Sequence, residues 1–174
     1  MRIFDLIKQY GEICLEIARY NTLPVNFSGF AGTSGLGDGF VKLSCTDRRP
    51  ADPFKGLVPS YMFDIVAGGF KVGIISLRVG YSKSLYYTGQ IGYAVDAPHR
   101  GKGYAGAACR LLAPLMRAHG MAKALITNNP ENTASRRVCE KLGAKFIRTV
   151  KLPRTHELYA AGDRYKNIFE WTPE

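Results

Sequence analysis

The residues best suited to chemistry lie in one run, Asp96-Ala97-Pro98-His99-Arg100-Gly101-Lys102-Gly103-Tyr104-Ala105-Gly106. Glycines and an alanine leave the main chain almost bare there, and two cations, Arg100 and Lys102, stand among them. An apolar run, Gln90 to Val95, precedes it, and a small-residue segment of helical character follows from Ala107. Strand, bare turn and helix start is the order in which backbone N–H groups converge on a pyrophosphate. No Lys-Ser or Lys-Thr pair follows the second glycine, so the run is not a Walker loop, and its spacing does not fit the dinucleotide fingerprint.

A second stretch, Asn132-Thr133-Ala134-Ser135-Arg136-Arg137-Val138-Cys139-Glu140-Lys141-Leu142-Gly143, opens on a helix-capping residue and closes on a glycine stop. Taken in order, the two stretches resemble the signatures of the GNAT superfamily of acyl-CoA-dependent N-acyltransferases. Its pyrophosphate loop reads Gln/Arg-x-x-Gly-x-Gly/Ala, met by Arg100, Gly103 and Ala105. Its other signature pairs an Asn and a Ser with Glu-Lys-Leu-Gly, met by Asn132, Ser135 and residues 140–143. The resemblance is best from Ile91 to Phe146 and points to the branch that acetylates ribosomal-protein N-termini.

The resemblance implies acetyl-CoA as cosubstrate and no metal. It implies that backbone around Tyr93, Ala94 and Val95 pairs with the pantetheine arm. The loop residues Arg100, Gly101, Lys102, Gly103, Tyr104 and Ala105 would hold the pyrophosphate. Asn132 would support the pantetheine, with Ser135 one turn further along. The plainer accounts are a simple helix cap for Asn132 and solvated charge for Arg100 and Lys102; the bare glycines beside the cations favour phosphate.

The implied reaction is direct attack of a neutral amine on a thioester carbonyl. An alkylammonium of pKa about 10.4 leaves roughly one molecule in a thousand free near pH 7, so a base or a water chain to one raises the rate. A backbone N–H near Val95 is the candidate oxyanion donor. The family's usual tyrosine acid falls on Cys139, and Gln90 stands on the strand where many members carry a glutamate. The candidate catalytic residues are therefore Gln90, to orient water, and Cys139, to protonate the thiolate or take the acyl group. Packing filler is the plainer account of Cys139. Asp64, Glu170, Glu157 and His156 are remote candidates for the base.

These residues need a frame, and the apolar spacing supplies one. Residues 2–19 carry Ile3, Leu6, Ile7, Tyr10, Ile13, Cys14 and Ile17 at helical intervals. The stretch Asn21 to Gly39, with five glycines from Gly29 on, reads as a mobile loop or lid. Strands are expected at 40–45, 61–66, 70–79 and 86–95, with a hairpin turn at Ser82-Lys83-Ser84. The helix from Gly103 to His119 should bend or split at Pro114. A short strand at 123–127, the Asn132 helix, strands at 144–152 and 164–171, and a helical turn at 156–159 complete the chain. The expected architecture is α/β (α+β): a mixed, largely antiparallel twisted sheet of six to seven strands flanked by helices, its central strands splayed as the resemblance implies. One domain spans 1–174, with residues 1–39 as the N-terminal helix and glycine-rich loop and 40–174 as the core.

In the resembling family an initial strand precedes the first helices, whereas here a helix comes first. The loop 47–59 holds three prolines and replaces the helix pair that often binds the acceptor. The N-terminal helix and the glycine loop are then the segments expected to complete that site.

Lys plus Arg number 24 against 14 Asp plus Glu, giving a net charge of +10. Such an excess draws polyanions. The basic residues are scattered, with no recognition helix or RNA-binding aromatic signature, so nucleic acid is not the expected partner, and CoA phosphates offer a smaller explanation for some of the charge. No apolar run has the length of a membrane span, and the chain reads as cytoplasmic. Cys14, Cys45, Cys109 and Cys139 lie far apart, without zinc or disulfide spacing. The expected partners are acetyl-CoA and a primary amine of a small molecule, protein or peptide. The competing function is a CoA-binding fold without catalysis, serving as a regulatory or ribosome-associated module. The last strand, rich in Tyr, Phe and Trp, either pairs with a second subunit in a homodimer or fills the core.

Overall fold

The computed structural model describes residues 3–174, apart from the side chains of residues 3–7 and 9. Seven strands, β1 (Lys42–Arg49), β2 (Ser60–Ala67), β3 (Phe70–Arg78), β4 (Ile91–Val95), β5 (Ala124–Asn128), β6 (Lys145–Lys151) and β7 (Tyr165–Trp171), form one sheet. Its order is β1-β2-β3-β4-β5-β7-β6. Neighbours run antiparallel except β4 and β5, which are parallel and share a single pair, Ile91 with Ile126. The helices are α1 (Ile3–Asn21), α2 (Lys83–Thr88), α3 (Tyr104–Leu111), α4 (Ala113–Ala118), α5 (Thr133–Lys141) and α6 (Glu157–Ala160).

Strand alternation sends successive side chains to opposite faces and so makes two cores. On one face Phe63, Ile75, Leu77 and Ile126 meet Ala108, Leu112 and Met116 of α3 and α4. On the other, Leu125, Val150 and Ile168 meet Ile13, Ile17 and Tyr20 of α1 and Tyr86 and Tyr87 of α2. Polar contacts fasten α1 there: Arg148 reaches Glu12 at 3.1 Å and Glu16 at 2.6 Å, and the Tyr86 and Tyr20 hydroxyls donate to Glu16 and Glu170. Tyr10 and Cys14, expected in the apolar stripe of α1, are exposed instead. Ile3, Leu6 and Ile7 of that stripe lie outside the described side chains. As Pro114 requires, the helix after the glycine turn is interrupted, α3 closing at Leu111 and α4 opening at Ala113.

Three local expectations are corrected, and one open alternative is decided. Strand β1 continues past Cys45 to Arg49 through a bulge between Cys45 and Asp47, so the proline-rich loop starts at Pro50. Residues 83–88 are helical: the Ser82 hydroxyl accepts from Leu85 N at 3.2 Å and caps α2, so β4 starts only at Ile91. The glycine-rich loop is no lid. Ala31 N donates to the Tyr61 hydroxyl at 2.6 Å, that hydroxyl meets His119 Nε2 at 2.6 Å, and His119 Nδ1 reaches Asn26 O at 3.2 Å. A carbonyl can only accept, so Nδ1 donates to Asn26 O, and in that tautomer Nε2 accepts the hydrogen bond of the Tyr61 O–H. Finally, β7 is flanked by β5 on one side and β6 on the other, with Ile168, Phe169 and Trp171 buried. It fills the core and has no free edge for a second subunit.

Candidate active site

The cleft exists because β4 and β5 are bolted at one end and free at the other. Gln90 is the bolt. Its N–H donates to Leu125 O at 2.8 Å, its Oε1 accepts from Leu125 N at 2.6 Å, and its Nε2 donates to Gly80 O at 3.1 Å. Beside it Gly89, at φ +74, lets the two backbones approach; a Cβ there would stand 2.8 Å from Leu125 O. Beyond Ile91 the strands part. Asp96 N donates to Val72 O, so by ladder alternation Tyr93 and Val95 turn their N–H and C=O groups away from β3 and into the gap. The gap is a cleft of about 700 Å³.

At its mouth Gly101 and Gly103 adopt φ of 79° and 86°, conformations that side chains resist, and Gly103 opens α3. Among the described residues the N–H groups of Gly101 through Gly106 have no protein acceptor. This is a concave row of donors backed by a helix N-terminus. Arg100 folds back, its Nε donating to Val95 O at 3.0 Å. On the facing wall Asn132 caps α5, its Oδ1 accepting from Ser135 N at 3.0 Å. The Tyr93 hydroxyl meets Ser135 Oγ at 2.9 Å and ties β4 to α5. Burial raises the Tyr93 hydroxyl well above the ordinary tyrosine value, with the Ser135 contact acting in the opposite direction.

Every expected cofactor residue borders this cleft: Tyr93, Ala94, Val95, Arg100, Gly101, Lys102, Gly103, Tyr104, Ala105, Asn132 and Ser135. Sequence reasoning missed Arg137, Lys141 and Lys166, which also border it. The first two are spaced i,i+4 and stand, both exposed, along the edge of α5 that borders the cleft, whereas Arg136 pairs with Glu140 at 2.9 Å. That second i,i+4 pair was the available signal. No carboxylate borders the cleft among the described residues.

Neither catalytic candidate reaches the cleft. Gln90 is 1% exposed and its amide is spent on Gly80 and Leu125. Cys139 is fully buried, its Sγ 3.9 Å from Asn128 Nδ2, and burial pushes the thiol up to about 12. Of the remote bases, Asp64 pairs with Lys71 at 2.7 Å, and the His156 ring accepts from Leu158 N. Burial pushes Glu170 upward, but Tyr20 and Lys123 outweigh it and hold the carboxyl below its usual range. Glu157 borders a second pocket, of about 230 Å³, that shares Thr88 with the cleft. That pocket is walled by residues 49–50 and 56–58, by β2 and β3 and by α2, and among the described residues neither the N-terminal helix nor the glycine loop, expected to complete the acceptor site, lines it.

No curated protein matches the chain at significance. Among solved structures it is similar to Mycobacterium smegmatis RimJ in complex with CoA-disulfide, at 27% identity over 65% of this chain and 53% of that one, with a TM-score of 0.52. It is similar at 18% identity, over 70% and 67% and at a TM-score of 0.52, to a Salmonella typhimurium acetyl transferase that modifies the N-terminal serine of a 50S ribosomal subunit protein. A microcin self-immunity acetyltransferase in complex with acetyl-CoA and AMP aligns at 17% identity, over 65% and 61%, with a TM-score of 0.52. The chain thus spans less than two thirds of the length of the first and last of these proteins. The family model for the acetyltransferase (GNAT) domain matches residues 49–145, more than half the chain and the stretch that holds the bolt, the splay and the glycine turn. The protein belongs to the GNAT acetyltransferase family.

Proposed function

We propose that the protein moves an acetyl group from acetyl-CoA to a primary amine of a small molecule, peptide or protein. The observation that carries this reading is the row of N–H groups from Gly101 to Gly106, unpaired among the described residues, at the mouth of a cleft that those residues line with cations and no carboxylate. Pyrophosphate is the ligand such a row suits. The pantetheine would then lie along the open edge of β4, with Tyr93 and Val95 offering backbone groups as a missing strand would. Ribosomal-protein modification in the Salmonella neighbour favours a peptide amine among the acceptors. Four free cysteines suit a reducing compartment, and the reading places the protein in the cytoplasm.

In the reaction the amine nitrogen attacks the carbonyl carbon, the C–S bond breaks, and the amine's surplus proton passes to water. The Val95 N–H faces the gap and is the donor for the oxyanion. A thiolate of pKa about 8.5 leaves without full protonation. Tyr93, held protonated by burial, gives it a hydrogen bond rather than a proton.

The first test is calorimetry with acetyl-CoA. Saturable binding is expected for the wild type, and its absence would sink the reading. In Gly103→Asp the φ of 86° strains the new residue and its carboxylate faces the pyrophosphate. Like charge in such contact costs several kcal/mol, so affinity should fall by at least about a hundredfold.

One observation favours a second reading, a CoA-binding module without turnover: neither Gln90 nor Cys139 reaches the cleft. Acetylation of any amine in a broad panel rules it out.

A further inference from the structure

The second pocket lies on the sheet face opposite α3. Ile75 and Leu77 belong to the core under α3 and α4, so alternation along β3 sends Ser76 and Arg78 to the other side. There Arg78 stretches across β4. A Cβ built on Gly92 would lie 3.4 Å from Arg78 Nη1, and Gly92 itself borders the cofactor cleft. Thr88 borders both spaces. An occupant of this pocket therefore approaches β4 from the face opposite the cofactor's glycine turn.

The chemistry of the pocket centres on a guanidinium that the carboxylate in its wall, Glu157, does not pair directly. Arg78 Nη1 donates to Gly89 O at 3.2 Å, and among the described residues no carboxylate stands within 4.0 Å of the guanidinium. Burial pulls the guanidinium below its ordinary value and nearby Glu157 pulls it back up. A partly buried charge held by no direct ion pair is costly, and four of its five N–H groups remain for a ligand. Arg49 stands on the rim, and the hydroxyls of Ser60 and Ser84 have no protein partner among the described residues. At about 230 Å³ the space suits a group the size of one amino acid. Glu157, the carboxylate in the wall, repels a second anionic group and attracts an ammonium.

We propose that this pocket is the acceptor subsite and that Arg78 grips the single oxyanion, carboxylate or phosphate, of an amine that carries one. The proposal rests on the acetyltransferase reading and narrows its acceptor class. A charged guanidinium forms bidentate pairs with either oxyanion and discriminates against the matching amide, which leaves it unpaired.

The test compares acceptors under saturating acetyl-CoA. β-Alanine and γ-aminobutyrate present a carboxylate, O-phosphoethanolamine a phosphate, and β-alaninamide and putrescine neither. At least about a tenfold higher kcat/KM is expected for one anionic arm over the acceptors that carry no oxyanion, and the better arm identifies the oxyanion. In Arg78→Gln that advantage should shrink to within about twofold through KM, with Arg78→Lys recovering part of it. Ser84→Ala, on the exposed surface of α2, should raise KM for the anionic arm severalfold and leaves a readout if Arg78→Gln does not fold. Calorimetry of free protein with N-acetyl-β-alanine and with O-phosphoethanolamine reads the pocket without turnover. No heat with either, or equal rates for acceptors with and without an oxyanion, overturns the subsite. Failure of acetyl-CoA itself to bind overturns the acetyltransferase reading instead.

Discussion

The sulfur of Cys139 sits against Asn128 Nδ2, fully enclosed, and burial sets its thiol at about 12. At pH 8 such a thiol is ionised in about one molecule in ten thousand, against roughly a quarter for an ordinary cysteine. Nucleophilic and acid roles are both suppressed, since the thiolate is absent and the proton is held too tightly to be given away. Iodoacetamide at pH 8 should therefore label the exposed Cys14 while Cys139 stays unmodified until denaturant is added, as mass spectrometry would show. Cys139→Ala should keep acetyl transfer within about threefold and cost about 1 kcal/mol of stability for the small cavity. Rapid labelling of Cys139 in the folded protein, or loss of turnover in the alanine variant, would restore it as a catalyst. Position in the motif suggested chemistry at Cys139, whereas the packing of β4, β5 and α5 around it decides against chemistry. Distant neighbours of that kind leave no trace in local sequence.

Elements with their own signals were legible in the chain. The glycine turn has its φ-demanding residues, the break between α3 and α4 has Pro114, and β2 has strict alternation of half-buried and buried positions. Helix α2 was not legible, because Tyr86 and Tyr87 favour strands and only the cap at Ser82 tips the balance. The Arg78 pocket joins residues from β2, β3, α2, α6 and the loop after β1, and such assembly has no local signature. The same holds for Gln90, which read as a water-orienting residue and is in fact the fastener that sets where the strands separate. Gln90→Leu would strand Leu125 N and Gly80 O in the interior, at about 1–3 kcal/mol for each group. Lower stability in chemical denaturation and weaker acetyl-CoA binding should appear together. Gln90→Glu keeps the acceptor for Leu125 N but loses the donor to Gly80 O, so it should destabilise as well and bring no gain in kcat. A faster, equally stable Gln90→Glu enzyme would return this position to the chemistry.

For the molecule as a whole, part of the +10 net charge gathers at the cleft. Arg100 and Lys102 stand at the glycine turn, Arg137 and Lys141 on the facing helix, and no carboxylate interrupts them among the described residues bordering the cleft. A low-dielectric cleft lined by one sign of charge focuses the field and speeds capture of a ligand of opposite sign. CoA, with its phosphates, is such a ligand, and steering of this kind acts over a range set by the Debye length. That length is about 10 Å at 0.1 M salt and about 3 Å at 1 M. The hydrogen bonds expected from Gly101 to Gly106 act at contact and are screened far less. Salt should therefore slow association more than it hastens release. Stopped-flow measurements between 50 mM and 500 mM NaCl should show the acetyl-CoA association rate falling by at least about fivefold while the dissociation rate changes by less than about twofold. Arg137→Glu with Lys141→Glu, both on the exposed side of α5, should flatten that dependence and lower the low-salt rate without shifting the melting temperature. An association rate indifferent to salt would mean that the cleft draws in its cofactor by backbone geometry alone, and that the surplus charge serves another partner.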